Sequence, residues 1–213
     1  EINNVTFAIG GKNKVNDENI SIENEGDIIC ILGPSGIGKT TMLRTIAGLE
    51  KINQGEIILK NKVISSYNTH VEPEKRNIAL SFQENSLFPH YSIGKNIHLG
   101  IKKNSSNAKN LDSNEIIKVL NIENILDKYP HQISAGEAQR ASLARSLISQ
   151  PDLLLLDEPL SNVDQSFKED IQVALKKILK KNKISTIVVT HDSYEAFYLG
   201  SKCALILNNE VKQ

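Results

Sequence analysis

Residues 33–40 read GPSGIGKT, between an apolar run and a helical pattern. Gly33, Gly36 and Gly38 let the backbone pass close to a phosphate, and their amide hydrogens point at it together with about half a unit of positive charge from the helix start. Pro34, Ser35 and Ile37 complete the loop. Lys39 adds a point charge that reaches β- and γ-phosphate oxygens. Thr40 brings a hydroxyl to Mg²⁺, and Thr41 stands beside it on phosphate. The plainer alternative is a glycine-rich turn with no ligand. All positions of the phosphate loop fit, however, and the strand-to-helix context is the one the motif requires.

A second cluster lies far downstream. Leu153, Leu154, Leu155 and Leu156 carry the chain through what reads as a buried strand and deliver Asp157 and Glu158 at its carboxyl end, before Pro159. That is the end of a strand where α/β sheets bind ligands. Adjacent carboxylates there suit two tasks, Asp157 orienting Mg²⁺ through water and Glu158 polarising an attacking water as general base. The competing reading is a surface turn stopped by proline.

The elements that must position these groups follow from periodicity. Apolar runs at 27–32, 78–82, 153–157, 186–190 and 204–207 suit central strands, and helical patterns at 39–49, 135–149, 166–181 and 193–199 alternate with them. The expectation is an α/β fold with a parallel sheet flanked by helices. Segments 2–7, 20–22 and 55–59 read as a small antiparallel β side sheet. Residues 85–132 read as an α-helical insertion with helices at 93–99, 114–120 and 122–128, dividing a single domain over 1–213 into a core of 1–84 and 133–213 and an inserted piece. The stretch 102–110, KKNSSNAKN, lacks apolar periodicity and reads as a surface loop.

Composition excludes several classes. In 213 residues Lys plus Arg equals Asp plus Glu at 25 each, so no net field favours nucleic acid or an anionic membrane surface. No apolar run approaches the ~20 residues of a membrane-spanning helix, and the start EINNVTF lacks the regions of a signal peptide. A cytoplasmic protein is expected. Cys30 and Cys203 both fall in apolar runs and read as buried, reduced and structural.

Taken in order, GPSGIGKT, then ISAGEAQR at 133–140, then LLLLDEP at 153–159 resemble the nucleotide-binding subunit of an ABC transporter, over nearly the whole chain. The resemblance implies a P-loop NTPase core, ATP with Mg²⁺, and catalysis by Lys39, Glu158, His191 and Gln83. Gln83 resembles the lid glutamine that contacts Mg²⁺ and water. His191, in VVTHD, resembles the switch histidine on the γ-phosphate. ISAGEAQR resembles the signature LSGGQ, whose Ser134, Gly136 and Glu137 positions would meet the γ-phosphate bound on an opposing subunit. Ser134 and Glu137 also form an S-x-x-E capping box, a purely local reason for those residues at a helix start. Ala135 and Glu137 replace a glycine and a glutamine. Asp164, in SNVD, resembles the loop through which two subunits sense each other; alone it would be a helix cap. The adenine-stacking aromatic is replaced by Ile9, with Phe7 on the same strand face, so ATP over GTP follows from the resemblance and not from these residues.

Residues 87–96, LFPHYSIGKN, opening on Leu87 and closing on Asn96, resemble the permease-docking region of importers for polyamines, ferric iron, sulfate, maltose and thiamine. Pro89 and Tyr91 would shape the cleft and Phe88 would supply apolar contact; a solvent-exposed loop is the alternative. The sequence stops soon after Val211, so the extra regulatory domain some of those importers carry is not expected, truncation of the sequence being the alternative. The expected function is ATP hydrolysis driving solute import, by a dimer, with a second nucleotide-binding subunit and permease subunits as partners and an extracytoplasmic solute-binding protein as an indirect one. Its place would be the cytoplasmic face of the inner membrane. An exporter or lipoprotein-release ATPase, or a degenerate ATP-binding structural subunit, are the alternatives.

Overall fold

A computed structural model describes residues 1–9, 13–16, 19–52, 54–82, 87–99, 101, 112–207 and 210–212, and their side chains apart from 6–9, 13–16, 19, 165, 207 and 210–212. The chain opens with β1 (Ile2–Asn3), β2 (Thr6–Ile9), β3 (Asn13–Asn16), β4 (Asn19–Ile20) and β5 (Ile28–Leu32), then α1 (Lys39–Ala47). It continues through β6 (Glu56–Leu59), β7 (Lys62–Ser65), β8 (Ile78–Ser81), α2 (Ile93–His98), α3 (Ser113–Val119) and α4 (Ala135–Ile148). The last part is β9 (Leu153–Asp157), α5 (Gln165–Lys181), β10 (Ser185–Thr190), α6 (Ser193–Leu199), β11 (Lys202–Leu207) and β12 (Glu210–Lys212).

The strands β11, β5, β10, β9 and β8 lie side by side and parallel. Antiparallel β12 and the β2–β3 hairpin extend that sheet at one edge. A second sheet, in the order β4, β1, β6, β7, is antiparallel. The central strands are apolar at consecutive positions because both faces are covered. Ile29, Ile31, Leu153, Leu155, Ile187 and Val189 face α1 and the antiparallel sheet, whereas Ile28, Cys30, Leu154, Leu156 and Val188 face α2 to α6. Burying each Ile or Leu contributes about 1.5–3 kcal/mol. The phosphate-loop helix and the helix that begins at Ser134 therefore lie on opposite faces of one sheet.

Two buried polar side chains fix the elements that carry the site. Arg76, 2 % exposed, donates to Ile46 O at 2.9 Å and Thr45 O at 3.3 Å at the C-terminus of α1, and to Ser65 Oγ at 2.8 Å in β7. A cation there complements the negative end of the helix dipole and ties α1 to the antiparallel sheet. Asn96, fully buried, accepts from Phe88 N at 2.8 Å and donates to the carbonyls of Phe88, Tyr91 and Ser92 at 3.1, 3.1 and 3.2 Å. It pins the loop ahead of α2.

Several expectations from the sequence need correction. The segment 2–7 is not one strand: Asn4 takes a left-handed φ of 50°, a conformation asparagine tolerates, and the chain leaves the antiparallel sheet for the large one. The expected helix at 122–128 is only a 3₁₀ turn, Glu123–Ile125. Ile122 and Ile125 are buried, but i, i+3 spacing serves a 3₁₀ turn as well as an α-helix. Cys30 is buried as expected, but Cys203 is exposed. In β11 Ala204 and Ile206 turn inward, so alternation sends Cys203 outward. The segment 102–110 lies outside the described residues.

Candidate nucleotide site

The β5–α1 turn presents the phosphate loop. Gly36 has φ 80°, a left-handed conformation costly for other residues, and a side chain there would point into open space. Lys39 is 6 % exposed and its Nζ donates to the carbonyls of Gly33 and Pro34 at 2.7 and 2.8 Å. Its ammonium is thus folded over the loop's own backbone. Burial lowers its pKa, while Glu158 and Asp157 oppose that by raising it.

Asp157 ends β9, 4 % exposed, and its Oδ2 accepts from Thr40 Oγ1 at 2.7 Å. Burial raises its pKa, the Thr40 hydrogen bond opposes this, Glu158 adds to the rise and Lys39 counters it. A hydroxyl and a carboxylate from α1 and β9 so meet at one point. Among the described residues no cluster of three or more His, Cys, Asp or Glu could hold a metal. A cation at Thr40 and Asp157 would take its other ligands from phosphate and water, and hard oxygen donors with few protein ligands fit Mg²⁺.

Glu158 is the strained member of the group. It is not glycine, yet φ is 47°, a sparsely populated conformation that persists only where surroundings enforce it. Its N donates to Val189 O at 2.8 Å in β10. Its carbonyl accepts from Gln139 Nε2 at 2.7 Å and Ser161 Oγ at 3.1 Å. Thus held, its Oε1 accepts from His191 Nδ1 at 2.9 Å, with the Glu158 side chain 14 % and the His191 side chain 60 % exposed. The sequence reading paired neither Gln139 with Glu158 nor Glu158 with His191. Gln139, 2 % exposed, also accepts from Asn162 N at 3.0 Å, so one side chain brackets both the carboxylate turn and the SNVD loop.

Ser134 and Glu137 form the capping box. Glu137 N donates to Ser134 Oγ at 3.2 Å, while Ser134 N and Oγ donate to Glu137 Oε2 at 2.8 and 2.9 Å. The Ser134 backbone bond, chief among the causes, lowers the pKa of Glu137. The carboxylate is turned to its own helix start. Gly136 has a structural reason of its own: a Cβ there would sit 2.4 Å from Asn162 O. Asp164 is the N-cap residue of α5 but its side chain makes no capping hydrogen bond, so the plain-cap reading fails. Gln83 lies outside the described residues, as do the side chains of Phe7 and Ile9 in β2.

On the α4 side, Phe88, Leu99, Ile78, Leu80, Arg145 and Pro151 line a groove of about 470 Å³. The Arg145 guanidinium lies 5.7 Å from the Phe88 ring centroid, and Phe88 meets His90 and Tyr91 edge-on while those two rings are tilted to each other. A larger hollow of about 550 Å³, between the antiparallel sheet and the amino ends of β9 and β10, is lined by isoleucines together with charged and polar residues such as Glu23, Lys60 and Asp152. It lies at the strand ends opposite Asp157 and Glu158 and takes no part in this site.

A family model described as "ABC transporter" matches residues 15–161. The chain belongs to the ABC transporter family. It is 36 % identical to the Fe(3+) ions import ATP-binding protein of Fusobacterium nucleatum, over 98 % of this chain and 57 % of the relative. It is 37 % identical to the maltose/maltodextrin import ATP-binding protein of Mannheimia succiniciproducens, over 100 % of this chain and 56 % of the relative. The chain thus spans little more than half the length of these relatives. Among solved structures, the dimeric post-hydrolysis state of the ATP-binding cassette MJ0796 bound to ADP and Pi aligns with TM-score 0.80 and 27 % identity, covering 100 % of this chain and 96 % of that one. The fold is an ABC ATPase cassette: an α/β core with a parallel sheet and an antiparallel β side sheet.

Proposed function

We propose that this cassette binds ATP with Mg²⁺ and hydrolyses it to ADP and phosphate, driving import of a solute through a membrane permease. The observation that carries the reading is Glu158, held at a left-handed φ with its carboxylate 2.9 Å from His191 and next to the Lys39, Thr40 and Asp157 group. The backbone of 33–38 and Lys39 take the β- and γ-phosphates, with Thr41 beside them. Thr40 and Asp157, with Gln83 by resemblance, hold Mg²⁺, which would neutralise charge on the phosphate oxygens. Glu158 takes the proton of the attacking water. His191 orients Glu158 through Nδ1 and, by resemblance, contacts the γ-phosphate.

The second half of the site comes from another copy. Ser134, Gly136 and Glu137 open a helix on the far face of the sheet from α1, so one chain does not bring that helix start to its own phosphate loop. A homodimer with two shared sites satisfies both halves, and the solved relatives are dimeric. We divide the domain into a core, 1–84 and 133–213, and a helical insertion, 85–132, with Gln83 at the joint. The groove beside Phe88 and Arg145, next to the 87–96 segment, receives a helix of the permease, with the cassette on the cytoplasmic face of the inner membrane. No helix of the described residues is long and apolar enough to cross a membrane.

Phosphate release from Mg²⁺–ATP tests the chemistry. Wild type turns over, and Glu158→Gln binds ATP but loses ~10² to 10⁴ in rate, as expected for a general base. Turnover retained by Glu158→Gln contradicts the assignment.

A further inference from the structure

Beneath the His191 turn lies a carboxyl group that the proposed hydrolysis does not use. Glu195, in the first turn of α6, is 2 % exposed. Its Oε2 accepts from Thr190 Oγ1 at 2.7 Å, and the same Thr190 oxygen accepts from Asp192 N at 3.1 Å. Thr190, itself 1 % exposed, thus closes the turn from both sides of His191. Asp192 Oδ1 caps α6 by accepting from the amides of Tyr194 and Glu195 at 2.9 and 3.2 Å. Its Oδ2 accepts from Lys168 Nζ at 2.6 Å, which carries the linkage to α5, the helix that follows the SNVD loop. The other oxygen of Glu195, Oε1, is buried and has no hydrogen-bond partner.

An ionised carboxylate has two oxygens that both need donors, and burying one without any is strongly unfavourable. A neutral carboxyl costs less in the same place: Oε2 as the carbonyl accepts from Thr190, and Oε1 carries the proton and no charge. We infer that Glu195 is a positioning residue that works in its neutral form, holding the Thr190–His191–Asp192 turn so that His191 meets Glu158. The inference rests on the roles proposed above for His191 and Glu158.

The surroundings favour the neutral form. Burial raises the pKa of Glu195 above the usual carboxylate range, Thr190 and Lys168 oppose that, and Asp192 and Glu158 add to it. From β5, Cys30 faces the same region as an uncharged thiol, its pKa pushed up to about 12, chiefly by burial. Lys168 of α5 is engaged by Asp192, Glu158 closes the end of β9, and His191 and Asp192 belong to the turn itself. As pH rises through the raised value, Glu195 loses its proton and places a negative charge under the turn, near two other carboxylates. The stabilising effect of the neutral group is present on the acid side and lost on the alkaline side.

The test is phosphate release against pH for wild type, Glu195→Gln, Glu195→Ala and Thr190→Val, with thermal melts for each. Wild-type turnover, measured first, separates failure of the hydrolysis reading from failure of this inference. Glutamine reproduces the shape and hydrogen bond of the neutral acid. Glu195→Gln is expected to keep kcat within about twofold at neutral pH and to lose part of the alkaline decline seen in wild type. Glu195→Ala and Thr190→Val are expected to lower kcat on the order of ten- to a hundredfold with a smaller change in KM for ATP, as for a misplaced catalytic group. An alkaline decline unchanged in Glu195→Gln, or a loss in Glu195→Gln as large as in Glu195→Ala, would overturn the neutral-form role. If Glu195→Ala does not fold, the pH profile of the isosteric Glu195→Gln decides alone.

Discussion

The two regions that resemble nucleotide-binding motifs are built on opposite principles. At the phosphate loop and the end of β9, polar groups are buried, close together and partly strained: Lys39 is 6 % and Asp157 4 % exposed, and Glu158 is held at φ 47°. At the start of α4, Ser134 is exposed and Ser134 and Glu137 satisfy each other. The first region draws its polar groups together from α1, β9 and the turn after β10. The second is quiet, its polar groups satisfied within one capping box.

The contrast can be broken from either side. The largest effect is expected from Lys39→Ala. A charged hydrogen bond contributes about 1.5–3 kcal/mol, so ATP affinity should fall on the order of ten- to a hundredfold in a binding titration, alongside a lower melting temperature of the free chain from the lost bonds to Gly33 and Pro34. Next is Gly136→Ala. A Cβ 2.4 Å from Asn162 O must push the SNVD loop or α4 aside, a cost of about 1–3 kcal/mol by overpacking, read as a lower melting midpoint in the absence of any nucleotide.

Ser134→Ala separates the two readings of the signature. Loss of a cap costs about 1 kcal/mol of stability, and Ser134→Thr, which keeps both the donor and the acceptor, would restore it. If Ser134 also meets phosphate in the partner's site, Ser134→Thr restores stability but not turnover, since its methyl group crowds the triphosphate. Recovery of both would reduce Ser134 to a cap.

The smallest effect concerns Glu137. Its folded pKa is lowered, chiefly by the Ser134 backbone bond, so its stabilising contribution is present above the ordinary carboxylate range and is lost as pH falls through the lowered value. Acid melts should show Glu137→Gln converging on wild type at the low-pH end. A gap between them that widens with acid contradicts this sign.

Much of this was legible in the sequence because its local and tertiary signals agree. Leu153 to Leu156 are apolar in succession since both faces of β9 are covered, and the capping box at Ser134 is a local code that folds as read. What escaped was decided by distant parts of the chain. Nothing next to Gln139 says that its amide will brace Glu158 and Asn162, and nothing next to Glu158 announces a left-handed φ. Arg76 and Asn96 read as ordinary polar residues until α1 and the 88–92 loop close around them. Cys203 was misplaced for the opposite reason. Residues 203–207, CALIL, are apolar throughout, so composition hid the alternation that sends Cys203 to the surface.

The most direct test of the shared site is the solution mass of Glu158→Gln, which should bind ATP without consuming it, by light scattering with and without ATP and Mg²⁺. A monomer that becomes a dimer only with ATP and Mg²⁺ is the expected result. A chain that demonstrably binds ATP yet stays monomeric would contradict a site completed by a second copy.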